Sequence, residues 1–426
     1  MTSYVITGGS LLGEEVADLL IDEGVIREIG KNLKGDVVVD AAGCVVLPGL
    51  VDLHTHLREP GREDAETVLS GSRAAAKGGF TCVHAMANTN PVADSAGVVE
   101  QVWRLGREAG LVEVRPVGAV TMGLAGQNLA ELGAMADSAA AVRVFSDDGK
   151  CVYDAAIMRR ALEYVKAFDG VIAQHAQEPR LTEDAQMNEG IVSSKLGLAG
   201  WPAVAEEAII ARDVLLAQHV GARLHVCHLS TAGSVDIIRW AKARGINVTA
   251  EVTPHHLFFT DDVVESYDPI YKVNPPLRTA ADVEAVRAGL ADGTIDIVAT
   301  DHAPHPSEDK DCEWSAAAFG MTGLESALAI VNATMVRTKA MSWAQVADRM
   351  SFAPAQIGKV NTQGQALAVG NPANIVVFNP DVELEVVPSQ SVSGSRNTPY
   401  GGHTLPGQVV ATFFAGKPTV LESELV

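Results

Sequence analysis

Between residues 49 and 300 the chain alternates two apolar patterns. Stretches with apolar residues three and four apart end at glycine, and each is followed by a short β-branched run whose last positions are polar. The first pattern predicts a helix packed by one face, the second a buried strand. Glu66 to Lys77 reads as helix, Gly78-Gly79 stops it, and Phe80 to Met86 is strand before the loop Asn88-Thr89-Asn90-Pro91. Asp154 can cap a helix bearing Ile157, Ala161, Leu162 and Val165, which ends at Gly170 ahead of the strand Val171 to His175. Val235, Ile238 and Ala241 form one helical face before Gly245 and the strand Ile246 to Val252. Val283, Val286 and Leu290 repeat this before Gly293 and Ile295 to Thr300. Strands near Leu50, Val114, Val142 and Leu224 bring the total to eight. Eight βα units in one run predict a TIM-like (β/α)8 barrel with its active residues at the C-terminal strand ends.

The flanks lack helical periodicity. Residues 1–48 and 360–426 are rich in valine, glycine and turn signals. Val25 to Ile29 and Val37 to Asp40 read as hairpin strands, and Ala373 to Phe378 with Gln408 to Phe414 can complete their sheet. Both chain ends are therefore expected to build one small β-sandwich domain, leaving 49–359 as the barrel.

Composition narrows the partners. At 426 residues and 47% hydrophobic content the chain can bury a large core. A net charge of -21 without clustered Lys and Arg argues against nucleic acid and against an anionic membrane surface. The start, Met1-Thr2-Ser3-Tyr4-Val5, has no basic leader, and no apolar stretch reaches the ~18 residues of a membrane span, so a cytoplasmic protein is expected. Five cysteines, scattered without CxxC spacing, fit reduced thiols better than a disulfide framework. Cys227 reads as a packing residue, because alternation would point it away from the side of His228.

The candidate chemistry lies at the strand ends. In Asp52-Leu53-His54-Thr55-His56 the two imidazoles are two residues apart, and on a strand both can reach one ion. Alone this spacing also suits a solvated strand end. Asp148, His175, His228 and Asp301 at the ends of later strands complete a set that defines a two-metal hydrolase site.

The chain resembles the dihydroorotases of the amidohydrolase superfamily over nearly its whole length. The resemblance rests on Asp52-Leu53-His54-Thr55-His56-Leu57-Arg58-Glu59-Pro60-Gly61, Met86-Ala87-Asn88-Thr89-Asn90-Pro91, Phe145-Ser146-Asp147-Asp148-Gly149, His228-Leu229-Ser230-Thr231, Asn274-Pro275-Pro276-Leu277-Arg278 and Thr300-Asp301-His302-Ala303-Pro304-His305. It implies two Zn²⁺ per subunit, one held by His54, His56 and Asp301, the other by His175 and His228. It also implies reversible cyclisation of N-carbamoyl-L-aspartate to (S)-dihydroorotate in pyrimidine synthesis. A shared water would be ionised near neutral pH, with Asp301 as general base and then acid. Many amidohydrolases bridge their metals with a carboxylated lysine on the fourth strand, whereas Val142 to Asp148 has none and Lys150 lies beyond it. The branch with Asp-Asp-Gly here uses the second aspartate, which assigns Asp148, with Asp147 as the alternative.

Because the substrate is an anion approaching an acidic chain, a local positive pocket is required. Arg58 can clamp its carboxylate bidentately. By resemblance Asn88 and His305 complete the clamp, His56 also faces the substrate, and Asn274 with the backbone at Phe319 and Gly320 holds the ring's amide edge. Each has a plainer reading: Arg58 paired with Glu59 or Glu63, Asn88 in an Asx turn, Asn274 shaping the turn before Pro275. His84, His225, His255, His256 and His302 read as packing or supporting groups, with His302 placed to tune Asp301, and His219 and His403 as surface residues. The polar segment Pro304 to Gly320 is a candidate lid. Hydantoinase or allantoinase chemistry is the alternative, although those relatives keep the lysine and lack the clamp of Arg58 and Asn88. A non-catalytic scaffold for aspartate transcarbamoylase is a further alternative. The resemblance also implies a homo-oligomer and a possible complex with that transcarbamoylase.

Overall fold

Eight short parallel strands follow one another in chain order in the computed structural model, which describes residues 2–426. They are Leu50–Thr55, Phe80–Ala85, Glu113–Pro116, Val144–Phe145, Val171–Gln174, Arg223–Val226, Val248–Val252 and Ile297–Val298. The first three pair in sequence, as do the last five. Parallel bridges from Gly118 to Phe145 and from Thr55 to His302 close the two gaps. The result is a closed barrel with helices outside it, the expected fold class. The eighth strand is shorter than the pattern suggests, because the Thr300 N–H leaves the ladder for the Asp52 carboxylate at 3.1 Å.

The outer helices begin where side chains can satisfy their free N–H groups. Thr67 caps Val68–Lys77, Asp154 caps Ala155–Val165, Thr231 caps Ala232–Ala243 and Thr279 caps Ala280–Asp292. The first helix starts at Val68 and not at Glu66. Thr67 is extended, with φ -114° and ψ 162°, and caps the helix from just before it, while the Glu66 carboxylate is drawn inward to the Ser393 hydroxyl, the Gly394 N–H and His302.

Both chain ends meet in a second, mostly antiparallel sheet, joined where Val45–Pro48 pairs with Ile375–Phe378. Alternation decides what each side chain faces. Val46, Ile375, Val377, Ala411 and Phe413 pack with Ile6, Leu19, Ile21 and Ile26 inside the sandwich. Val45, Leu47, Val376 and Phe378 pack into the barrel core. The predicted hairpin does not form. Val25–Gly30 pairs antiparallel with Glu15–Asp22, while Val37–Asp40 pairs parallel with Tyr4–Leu11. Asp36 accepts hydrogen bonds from the Ser3 N–H and hydroxyl, which pins the chain beside the N-terminal strand.

Phe413 is fully buried in the sandwich against the Tyr4 ring at 5.4 Å. We expect Phe413→Ala to lower stability by about 3–5 kcal/mol in denaturant titrations. An unchanged midpoint would mean that this core is not coupled to folding.

Candidate metal centre and active site

The sequence-predicted ligands converge at the C-terminal mouth of the barrel. His54 lies at the end of the first strand, one residue before its last, and its Nδ1 is held by Glu251 Oε1 at 2.6 Å. Its Nε2 is thereby turned inward, 3.4 Å from carboxylate oxygens of both Asp148 and Asp301, and has no hydrogen-bond partner. His56 uses Nδ1 on Asn88 Oδ1 at 2.9 Å and places Nε2 3.0 Å from Asp301 and 3.3 Å from Asp148. His175 places Nε2 2.8 Å from Gln177 Oε1, leaving Nδ1 3.2 Å from Asp148 and 2.8 Å from His228 Nε2. His228 Nε2 is itself 3.2 Å from Asp148 Oδ1. Four imidazoles thus aim a nitrogen at one buried space around Asp148.

This donor set fits cations. His54, His56 and Asp148 bring ligand atoms within 4.8 Å of one another, and so do Asp148, His175 and His228. Asp148 belongs to both groups, as a shared ligand must. Asp147, the alternative, is consumed elsewhere: it accepts from the N–H groups of Val120 and Thr121 and from the Thr121 hydroxyl. In a third group, His54, Cys227 and Glu251, the His54 Nδ1 is turned away from that space and already bonded to Glu251, so the group supports the centre. Cys227 itself packs with Met86, Val117 and Ala173.

Charge holds the cluster together. Burial would raise the Asp148 and Asp301 carboxyls, but His54 and its imidazole neighbours overcome it, taking Asp148 well below its usual range and Asp301 to about 2. Burial alone would lower His54, yet Asp148, Glu251 and Asp301 raise it well above an ordinary imidazole. The backbone is strained at the same place. Arg58, His228 and Asp301 have φ of 61°, 32° and 47°, a region that side chains other than glycine rarely adopt.

On the substrate side, Arg58 pairs with neither Glu59 nor Glu63, which accept instead from the N–H groups of Val68 and Gly61. Its Nε donates to the Pro304 carbonyl at 3.0 Å, and one Nη lies 3.3 Å from His305 Nε2. Burial lowers the His305 imidazole to about 3, helped by the charges of Arg58 and Lys310, so it is neutral at physiological pH. His305 Nε2 lies 2.9 Å from the Phe319 carbonyl. Asn88 makes no Asx turn with its oxygen, which is committed to His56. Asn274 and Phe319 line a cavity of about 690 Å³ with Gly149, Lys150, Gln177 and Trp201. Gly320 adopts φ 137° behind them.

The segment Pro304 to Gly320 contains the helical turn Ser307–Lys310 and is stapled by two lysines. Lys310 Nζ donates to the carbonyls of Lys272 and Ala318 at 3.1 and 2.9 Å, and Lys272 Nζ to that of Trp314 at 2.6 Å. His302 does not tune Asp301, since its ring nitrogens face Glu66 and the Gly323 N–H. His219 is exposed, but His403 is half-buried against the rings of Phe258 and Phe259.

Residues 43–234 match a family model described as dihydro-orotase-like. A dihydroorotase of Streptomyces coelicolor is 66% identical over 427 residues, covering 100% of both chains. One from Leifsonia xyli is 65% identical over 426 residues, covering 100% of this chain and 97% of the other. The chain belongs to the dihydroorotase family. As a member it is a cyclic amide hydrolase. An L-hydantoinase structure from Arthrobacter aurescens superposes with a TM-score of 0.87 at 24% identity, over 100% of this chain and 98% of that one, which shows the shared fold.

Two members of this site escaped the sequence reading. Glu251, buried in the seventh strand, receives His54 Nδ1 and lies 2.9 Å from His225 Nε2. A lone carboxylate in an otherwise apolar barrel strand was the available signal, since a buried charge needs partners. Gln177, two residues past His175, had no signal at all. We expect Glu251→Gln to weaken divalent-metal binding about 10- to 100-fold, read by chelator competition, because it removes the charge that orients His54. An unchanged affinity would assign Glu251 to the scaffold.

Proposed function

We propose that the chain interconverts (S)-dihydroorotate and N-carbamoyl-L-aspartate, the ring-closing step of pyrimidine biosynthesis, at a centre for two Zn²⁺. The observation that carries this reading is the sharing of Asp148 between two sets of imidazoles beside the Arg58 guanidinium. His54, His56 and Asp301 would hold one cation and His175 with His228 the other, Asp148 serving both; the imidazole-rich set suits zinc. Bound zinc would make a water acidic near neutral pH and polarise the scissile carbonyl.

The chain's own groups account for the rest. Arg58, Asn88 through its amide nitrogen, and His305 bind the carboxylate on the ring carbon, so that the anion finds a positive pocket in an acidic protein. Asn274 and the backbone at Phe319 and Gly320 hold the amide edge. Asp301, ionised at neutral pH, takes the proton of the attacking water. As the bond between the carbonyl carbon and the ring nitrogen breaks, it hands that proton to the departing nitrogen. In the direction of synthesis Asp301 takes the proton of the ureido nitrogen as that nitrogen attacks the protonated β-carboxyl, and returns it to the departing hydroxyl, which leaves as water.

A metal analysis combined with ring-opening assays on dihydroorotate, hydantoin and allantoin tests the assignment. Turnover of hydantoin without turnover of dihydroorotate would overturn it. Asp301→Asn is expected to bind substrate but to lose about 10²- to 10⁴-fold in kcat. Near-normal turnover would remove Asp301 from the proton path. Arg58→Met should raise KM for dihydroorotate strongly with zinc content unchanged; loss of zinc instead would make Arg58 part of the scaffold.

A further inference from the structure

Gln177 touches both halves of the site. Its Oε1 lies 2.8 Å from His175 Nε2 and receives the Asn274 Nδ2–H at 3.1 Å, while its Nε2 donates to the Thr182 hydroxyl at 2.8 Å. The Thr182 hydroxyl spends its own hydrogen on the Glu178 carbonyl at 3.1 Å, so toward Gln177 it can only accept. That fixes the Gln177 amide, nitrogen toward Thr182 and oxygen toward His175 and Asn274. Two consequences follow from one oxygen. His175 must carry its hydrogen on Nε2, which leaves Nδ1 as a lone pair facing Asp148 and His228. Asn274 must turn its nitrogen to Gln177, and its Oδ1 is buried without any partner beside the cavity.

We propose that Gln177 is a positioning residue that orients His175 toward the cations and reserves Asn274 Oδ1 as an acceptor for an N–H of the substrate's amide edge. The inference rests on the proposed reaction for its substrate half only. A buried acceptor left empty is costly, and a substrate N–H is the group that would fill it. An analogue lacking that N–H would leave Asn274 unpaired and be discriminated against.

The test compares Gln177→Met, Gln177→Glu and Asn274→Ala. In zinc titrations of the metal-free protein against a chelator, Gln177→Met should bind zinc about 10- to 100-fold more weakly. Gln177→Glu, which keeps an acceptor for both partners, should bind zinc no more weakly than the parent. With dihydroorotate, Gln177→Met should raise KM about 10-fold in the parent and leave it unchanged when Asn274 is already alanine. Wild-type zinc affinity in Gln177→Met, or KM increments that simply multiply in the double variant, would overturn the proposal. Should Gln177→Met fail to fold, Thr182→Val releases the Gln177 amide alone and should shift both readouts in the same direction; no shift in either would overturn it. If the parent does not turn over dihydroorotate, the reaction assignment fails, while the zinc titration still decides the role of Gln177 at His175.

Discussion

A buried carboxylate encircled by imidazoles is the constraint around which this molecule is arranged. Asp148 has nitrogens of His54, His56, His175 and His228 within 3.4 Å, and it is almost wholly shielded from water. An isolated carboxylate in that position would be strongly disfavoured, so the charge has to be balanced by groups carried on other strands. The four histidines come from the first, fifth and sixth strand ends, and Asp301 from the eighth. Bringing them together requires the barrel to close.

The ring around Asp148 is itself held from outside. Glu251 grips His54, Asn88 grips His56 and Gln177 grips His175, each by the ring nitrogen that faces away from Asp148. These contacts set which nitrogen is free, and a ligand histidine is useful only in that tautomer. Positive φ at Arg58, His228 and Asp301 shows the same constraint in the main chain. The bend just past each strand is what turns these side chains over the mouth, and the surrounding hydrogen bonds keep the backbone in a conformation it would otherwise leave.

The second sheet supports this arrangement from the flank. Its shared strands carry one row of side chains into their own core and the alternate row into the barrel, so the two cores are continuous through Val45–Pro48 and Ile375–Phe378. Asn397 reaches from the C-terminal segment to the Ala303 and Gly320 carbonyls, at 2.9 and 3.3 Å, and accepts the His305 N–H at 3.0 Å. The chain ends thus help to place the loop that carries part of the substrate side.

Much of this was legible in the residues themselves. Alternating periods of 3.6 and 2, punctuated by glycine and by a capping aspartate, determine eight strands and their helices, because those patterns reflect local geometry. The residues that converge at the mouth were legible as candidate ligands, since each sits at a polar strand end where apolar packing gives way to chemistry. Strand partners were not. Val37–Asp40 joins Tyr4–Leu11 in place of its neighbour in sequence, because pairing depends on which edges are free after the chain closes. The residues alone did not separate Asp148 from Asp147; resemblance favoured Asp148, and the two differ in the direction their side chains take beyond the fourth strand. The roles of Glu251 and Gln177 exist only through partners between 2 and 197 residues away, and the orientation of a side-chain amide is set by the donors and acceptors that tertiary structure places around it.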